Sequence, residues 1–212
     1  PAPANRLVII TPVRTVIAGA CSLIVTVQSQ DGPGNPSNVT AATLVSLAST
    51  SGAGTFYSDA ACAVPVTGIT LAAGTNLNSF YFKDTRAGAP TLSGASGGFA
   101  SATQTETITP AAPSKLVVLT AAQSLTAGAC SAVVTVQTQD LYSNPSNVGA
   151  ATVVGLATSS SGGTFYSDAA CGTGVASATV AASTNTVSFY FKDTGAGSSV
   201  LTLTSAPLTA GT

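Results

Sequence analysis

Four cysteines are the residues of this chain with the clearest chemistry. Cys21 and Cys62 are 41 residues apart, and Cys130 and Cys171 have the same spacing. Four cysteines allow three pairings, but only these two pairs treat the two similar halves of the sequence alike. We therefore predict two structural disulfides, Cys21 with Cys62 and Cys130 with Cys171, which form in an oxidising compartment.

A metal site or a reactive thiol is the alternative role for these cysteines. Both need neighbours that the sequence lacks, since it contains no His and no two cysteines at CxxC spacing. We expect no metal and no cofactor.

Catalysis would depend on the acidic residues, because His, the usual general base, is absent. There are seven: Asp31, Asp59, Asp84, Glu106, Asp140, Asp168 and Asp193. Nothing in their spacing indicates a paired acid and base, and we expect that the chain is not an enzyme.

A calcium site is one interpretation of the oxygen-rich segment DGPGN, Asp31–Asn35. The corresponding segment, DLYSN at Asp140–Asn144, lacks both glycines, and each segment carries one carboxylate. The sequence favours an Asx-type turn closed by Asn and Pro.

Tyrosines within two aromatic blocks are candidate ligand contacts. They alternate with phenylalanines, so the two residue types lie on opposite faces of a strand. Stacking on a sugar is one role for them, and the alternative is a core position or a tyrosine corner. The candidates are Tyr57, Tyr81, Tyr166 and Tyr190.

An intramolecular isopeptide bond from Lys83 to Asn35, Asn38 or Asp31, with its equivalent at Lys192, is a further hypothesis. Lys83 alternates with Phe80 and Phe82. If the phenylalanines face the core, Lys83 therefore faces solvent.

An internal repeat determines the predicted domain organisation. Shifting the sequence by 109 residues aligns Leu7–Ser93 with Leu116–Thr202 without a gap, and 51 of the 87 positions are identical. We predict two domains, at residues 1–109 and 110–212.

The second copy has no counterpart of the segment QTETIT, Gln104–Thr109. We expect domain 110–212 to lack its final strand, a costly state unless something fills the gap. Two explanations remain open: a fragment of a longer array, or a strand supplied by a neighbouring subunit.

Short alternating segments separated by Gly, Pro, Asn and Ser indicate strands, with no helical periodicity. In the segment SLIVTVQSQD, Ser22–Asp31, the side chains of Leu23, Val25 and Val27 share one face. We assign this face, with Cys21, to the core. Ala132, Val134 and Val136 are the equivalents. The predicted fold is all-β, with two tandem immunoglobulin-like β-sandwich domains and one disulfide in each.

Charged residues make up 6% of the chain and the net charge is −1, whereas about 25% charged residues is typical. This composition favours no nucleic-acid partner, and no apolar run is long enough for membrane insertion. A neutral polar coat is typical of an extracellular surface.

The blocks VTVQxQD, a GNP or SNP turn, and FYFKDTxAG resemble the bacterial immunoglobulin-like repeats of large surface proteins and invasin-type adhesins. The cysteine pair departs from familiar members of that group. The resemblance implies extended, multi-domain stalks on the bacterial cell surface and no catalytic residues.

We therefore expect a structural repeat of an extracellular filament, stalk or adhesin, whose partners are copies of itself or neighbouring repeats in head-to-tail contact. The alternative is an adhesive module that recognises a surface glycan or a host protein.

Overall fold

The computed structural model describes residues 2–211, and within that range the chain forms strands and turns without a helix. It divides into two compact units, Pro1–Pro110 and Ala111–Thr212. The outermost residues of the predicted domains, Pro1 and Thr212, lie outside the described residues.

Unit 1 contains eleven strands in three sheets. A five-stranded sheet has the order β1-β3-β8-β5-β6, a four-stranded sheet the order β10-β9-β4-β7, and β2 pairs with β11. The strands are β1 (Arg6–Ile9), β2 (Thr15–Ile17), β3 (Val25–Gln30), β4 (Thr43–Ser49), β5 (Gly54–Tyr57), β6 (Pro65–Val66), β7 (Gly68–Leu71), β8 (Leu77–Asp84), β9 (Thr91–Ala95), β10 (Ala102–Thr105) and β11 (Thr107–Thr109).

All three sheets of unit 1 contribute to a single hydrophobic core. The five-stranded sheet supplies Val27 and Phe82, and the four-stranded sheet supplies Val45 and Leu71. The β2–β11 pair adds Val16 and Ile108. These strands alternate between buried and more exposed positions, the period-two pattern of a half-buried strand.

Unit 2 repeats this arrangement with nine strands in one sheet, in the order β16-β15-β18-β13-β12-β20-β19-β14-β17. The strands are β12 (Lys115–Val118), β13 (Val134–Gln139), β14 (Thr152–Thr158), β15 (Gly163–Tyr166), β16 (Gly174–Val175), β17 (Ser177–Val180), β18 (Thr186–Asp193), β19 (Leu201–Ser205) and β20 (Leu208–Gly211).

The difference in sheet number between the units depends on one bridge. In unit 2, Lys115 on β12 pairs in parallel with Thr209 on β20, and this pair joins the two halves of the sheet. The equivalent pair in unit 1, Arg6 with Ala100, is an isolated bridge. The architecture around the two bridges is therefore the same.

The prediction for Leu23 is wrong, because Leu23 is 74% exposed and β3 begins only at Val25. Ser22 takes the inward position instead: its N–H donates to the carbonyl of Phe82, and its hydroxyl accepts from the Phe82 N–H. This exchange shifts the inward–outward alternation before the strand starts. Cys21 is accordingly only half-buried.

The equivalent prediction for Ala132 is wrong for the same reason. Ala132 is exposed, while Ser131 is buried and repeats both hydrogen bonds with Phe191. Val134 and Val136 are buried as expected.

Unit 2 also differs from unit 1 at the segment that corresponds to β2. β2 of unit 1 pairs in parallel with β11. The equivalent segment of unit 2, residues 124–126, belongs to no strand within the described residues, and the sequence has no counterpart of β11. β20 corresponds to the approach to β10, so unit 2 retains that part of the sheet.

Each unit is closed by one disulfide. Cys21 is bonded to Cys62 and Cys130 to Cys171, with Cα–Cα distances of 5.7 and 5.9 Å. These are the pairs that the repeat predicts. Cys21 precedes β3 and Cys62 lies in the loop between β5 and β6, and the pair in unit 2 takes the equivalent positions, before β13 and between β15 and β16.

We expect replacement of Cys21 and Cys62 together by alanine to lower the free energy of unfolding of unit 1. The chain-entropy model gives about 4 kcal/mol for a loop of this length. Urea unfolding followed at individual amides by NMR measures it, and the midpoints should fall more for unit 1 than for unit 2. The matched double variant of Cys130 and Cys171 should reverse that order, and equal effects on both units would contradict the prediction.

Candidate functional site

The four candidate tyrosines form two cross-strand pairs. Tyr57 on β5 lies opposite Tyr81 on β8, and Tyr166 on β15 lies opposite Tyr190 on β18. All four are half-buried. Directly opposed residues have Cβ atoms about 4.5–5.5 Å apart. Each unit therefore carries two neighbouring phenol rings on the outer face of its sheet.

Phenylalanines occupy the inner face of the same strands. Phe56 contacts Phe80 edge to face with ring centroids 5.4 Å apart, and its centroid is 5.3 Å from that of Phe82. Because side chains alternate along a strand, burial of these rings directs Tyr57 and Tyr81 outward. Within the described residues, none of these four tyrosine hydroxyls makes a hydrogen bond, which differs from a tyrosine corner.

The lysines that follow the tyrosines also face outward. The Lys192 amine lies 5.5 Å from the centroid of the Tyr166 ring, a cation–π distance. Lys83 and Lys192 are both half-buried. An isopeptide bond requires a buried amine against its partner, and the position of Lys192 on the outer face does not supply one.

The Asp31 carboxylate forms a closed turn. Its Oδ1 accepts hydrogen bonds from the backbone N–H groups of Gly34 and Asn35, at 3.0 and 2.8 Å. Its Oδ2 accepts from the Asn35 side chain at 3.2 Å and from the Ala2 N–H at 3.1 Å. The Ser37 hydroxyl also donates to the Ala2 carbonyl. The turn thus ties the entry segment of unit 1 to the end of β3.

The Asp140 carboxylate repeats this turn in unit 2. It accepts hydrogen bonds from the N–H groups of Tyr142, Asn144 and Ala111 and from the Asn144 side chain. The Ser146 hydroxyl donates to the Ala111 carbonyl. In both units the carboxylate oxygens face N–H donors, an arrangement suited to a turn rather than to a cation.

Hydrogen bonding sets the pKa of these two groups. Burial raises the pKa of the Asp31 carboxyl, but the donors from Asn35, Ala2 and Gly34 outweigh it and leave the pKa below its ordinary value. The pKa of Asp140 is lowered by the same balance. Both groups therefore stay ionised to lower pH in the folded chain than in the unfolded chain.

A second aspartate turn holds the disulfide loop. The Asp59 carboxylate accepts hydrogen bonds from the N–H groups of Ala61, Ala63 and Val64, and its pKa is lowered chiefly by the bond from Val64. Within this turn Cys62 has a φ of 51°, a left-handed conformation that is uncommon for a residue with a Cβ.

Unit 2 has the same turn. Asp168 accepts from Ala170, Gly172 and Thr173, and Cys171 has a φ of 52°. Sequence reasoning missed this role of Asp59 and Asp168, although the shared block SDAAC places an Asx-forming residue three positions before each cysteine.

Unit 2 also contains a groove. The sequence predicted no groove there, only the lack of a final strand. It has a volume of about 800 Å³ and lies between residues 118–127 and residues 195–201. Leu125, Val134 and Phe191 line it with apolar surface, and Asp193 is its one charged group.

Within residues 2–211 no group of three or more His, Cys, Asp or Glu side chains is placed to hold a metal ion. In the same range no helix of the length and apolar character needed to cross a bilayer is present.

No protein-family model matches the sequence, and no curated protein matches it. Solved structures similar to the chain include the D0-D1 domain of intimin, with a TM-score of 0.32 and 11% identity over 99% of this chain and 96% of that one. The adhesin InvE of Yersinia pseudotuberculosis gives 0.34 and 19%, over 96% of this chain and 56% of that one.

Domains 1–6 of the surface layer protein SbsC give a TM-score of 0.37 and 13% identity, covering 97% of this chain and 23% of that one. A β-glycosidase from Bacteroides vulgatus gives 0.38 and 10%, covering 91% and 22%. Surface proteins and a glycosidase thus match equally well, and the likeness assigns no function to this chain.

We expect Asp31→Asn to lower the melting temperature at pH 7, because an amide nitrogen would face the N–H donors of the turn. The pKa of Asp31 is lowered by folding, so its stabilisation is present above the unfolded pKa of about 4 and is lost as pH falls through the folded value. Thermal unfolding between pH 7 and pH 2 should therefore show the wild-type and variant curves converging in acid.

Asp140→Asn is the matched control in unit 2 and should behave in the same way. A difference in melting temperature that stayed constant from pH 7 to pH 2 would contradict the role of the ionised carboxylate.

Proposed function

We propose that the chain consists of two tandem immunoglobulin-like β-sandwich domains, residues 1–109 and 110–212, that act as structural repeats of an extracellular bacterial surface filament, stalk or adhesin. The observation that carries the proposal is the repetition of one disulfide-closed unit, down to individual turns. Asp31 with Ala2 and Asp140 with Ala111 are the same tether in both copies.

The tether supports a role in resisting mechanical force. Each entry segment is fixed to the end of β3 or β13 in its own unit through a carboxylate and a serine hydroxyl. A disulfide then closes the following part of the unit. Force applied along the chain would therefore meet covalent and hydrogen-bonded closure near the start of every repeat.

The chemistry of the surface supports an exported location. Disulfides persist in oxidising compartments, and the structure contains no free cysteine among its described residues. The coat is almost uncharged, with six basic and seven acidic residues in the chain. The resemblance to surface repeats favours the bacterial exterior over other oxidising compartments.

A non-catalytic role is part of this proposal. Five of the seven acidic residues have a pKa lowered by hydrogen bonds, so they are held as ionised structural acceptors rather than poised as acids near neutral pH. The partners proposed are further copies of the repeat in head-to-tail contact.

Adhesion is the second candidate function, and the tyrosine pairs favour it. Two half-buried phenol rings lie beside a lysine on the outer face of each unit, and together they present apolar and polar groups. Such a surface suits stacking against a sugar ring or an aliphatic side chain.

Antibodies against the chain should label intact cells of the source bacterium. The protein extracted from those cells should resist alkylation at all four cysteines until it is reduced, because the thiols are paired. Labelling that appears only after permeabilisation, or cysteines that react without reduction, would overturn the surface proposal.

For the adhesive alternative, we expect binding on a glycan array to fall at least tenfold when Tyr57 and Tyr81 are both changed to alanine. The corresponding double variant of Tyr166 and Tyr190 tests the tyrosine pair of unit 2. Tyr142→Ala, in the turn of Asp140, is a control outside both tyrosine pairs. An array without binding by the unmodified chain would remove glycan recognition.

A further inference from the structure

The connection between β3 and β4 contains a short motif that the proposed function does not use. Asn38-Val39-Thr40 is the only Asn-X-Ser/Thr sequence of the chain in which X is not Pro. Asn-X-Ser/Thr is the acceptor sequence for N-linked glycosylation, which adds a bulky, hydrophilic group at a protein surface. The motif is a candidate modification site only if both of its polar side chains face solvent.

Both polar side chains of the motif do face solvent. Asn38 and Thr40 are exposed, whereas Ser37 and Val39 are 4% and 3% exposed. This period-two alternation is that of an extended segment, in which residues two positions apart share a face. The Asn38 amide and the Thr40 hydroxyl therefore lie on the same side of the chain, away from the core.

A hydrogen bond holds the Asn38 amide by its oxygen. The Asn76 Nδ2 donates to the Asn38 Oδ1 at 2.7 Å. Within the described residues, the Asn38 Nδ2 and the Thr40 hydroxyl make no hydrogen bond. An N-linked saccharide is attached to the amide nitrogen, and the oxygen remains an acceptor afterwards. The bond from Asn76 therefore orients the side chain without using the atom that would be modified.

Backbone hydrogen bonds hold the same motif in the folded unit. The Val39 N–H donates to the Thr75 carbonyl at 2.9 Å, and the Val39 carbonyl accepts from the Gly74 N–H at 2.8 Å. A saccharide on Asn38 would lie outside this pairing, so unit 1 could keep its fold while carrying it. Because an enzyme must reach the motif to modify it, we expect the transfer to precede closure of these backbone bonds.

A neighbouring asparagine has the opposite arrangement. Asn35 is followed by Pro36 and Ser37, and Pro in the middle position excludes this segment as an acceptor. The Asn35 Nδ2 donates to the Asp31 carboxylate at 3.2 Å, and the Ser37 hydroxyl donates to the Ala2 carbonyl at 2.6 Å. Both polar groups are thus committed to the turn, and Asn35 serves as a negative control within the same unit.

Unit 2 supplies a second, closely matched control. Its equivalent asparagine, Asn147, accepts a hydrogen bond from the Asn185 Nδ2 at 2.7 Å, as in unit 1. Val148 is 5% exposed, which repeats the buried middle residue of the motif. Gly149 stands where unit 1 has Thr40. The two segments therefore share their geometry and differ in the hydroxyl two positions after the asparagine.

We propose that Asn38 is an N-glycosylation site and that Thr40 restricts the modification to unit 1. The Asn38 Nδ2 forms a bond to the anomeric carbon of a sugar donor that has a diphosphate leaving group. The bond between that carbon and the diphosphate oxygen breaks, the diphosphate leaves with the electron pair, and the amide proton passes to a base of the transferase. That the chain meets a transferase rests on the exported location in the proposed function; the acceptor geometry does not.

The test uses the whole chain recovered from the source cells. Peptide mapping by mass spectrometry should find a saccharide on Asn38 and none on Asn35 or Asn147. Digestion with a peptide N-glycosidase in ¹⁸O water should release the saccharide and leave a labelled aspartate at position 38. This label separates an N-linked saccharide on Asn38 from an O-linked saccharide on Thr40, which would leave the asparagine unlabelled.

Single substitutions made in the same cells exchange the two units. Thr40→Gly should reduce the occupancy of Asn38 at least tenfold, and Thr40→Ser, which keeps the hydroxyl, should retain the saccharide. Gly149→Thr should add a saccharide at Asn147. A Cβ at Gly149 would meet no atom within 4 Å, so the unit accommodates this substitution.

Three results would each overturn the proposal: an unmodified Asn38, a saccharide that persists in the Thr40→Gly variant, or a Gly149→Thr variant that gains none. These results are distinguishable from failure of the proposed function. Intact cells that are labelled by antibody while Asn38 is unmodified would remove the glycosylation site alone. Labelling that requires permeabilisation would remove the surface location, whatever Asn38 carries.

Discussion

Packing of three phenylalanines from two adjacent strands into the core is the interaction on which each unit depends. In unit 2 the rings of Phe165 and Phe189 meet edge to face at 5.6 Å, and Phe191 lies 5.3 Å from Phe165, nearly repeating the distances of unit 1. A Cβ on Gly163 would lie 2.8 Å from the Phe191 ring, so the adjacent hairpin needs glycine there. Because neighbouring residues alternate, this packing also sets which tyrosines and lysines face outward.

Much of this arrangement follows from the sequence, and the exceptions share a cause. Alternation identified β8 and placed Phe80 and Phe82 on the face opposite Lys83, and duplication identified the cysteine pairs. Leu23 was misplaced because Ser22 hydrogen-bonds with Phe82 and shifts the alternation before β3 begins. The strands β2 and β6 have three and two residues, too few for a periodic pattern to show.

The turn aspartates show where pattern-based reasoning about a site ends. An Asx-type turn at Asp31 could be predicted, since Asn and Pro follow it at the expected distance. Its bond to Ala2 could not, because it joins residues 29 positions apart whose proximity depends on the completed sheet. Likewise, Asp59 was recognisable as a turn former, but not as the residue that holds Cys62 in a left-handed conformation.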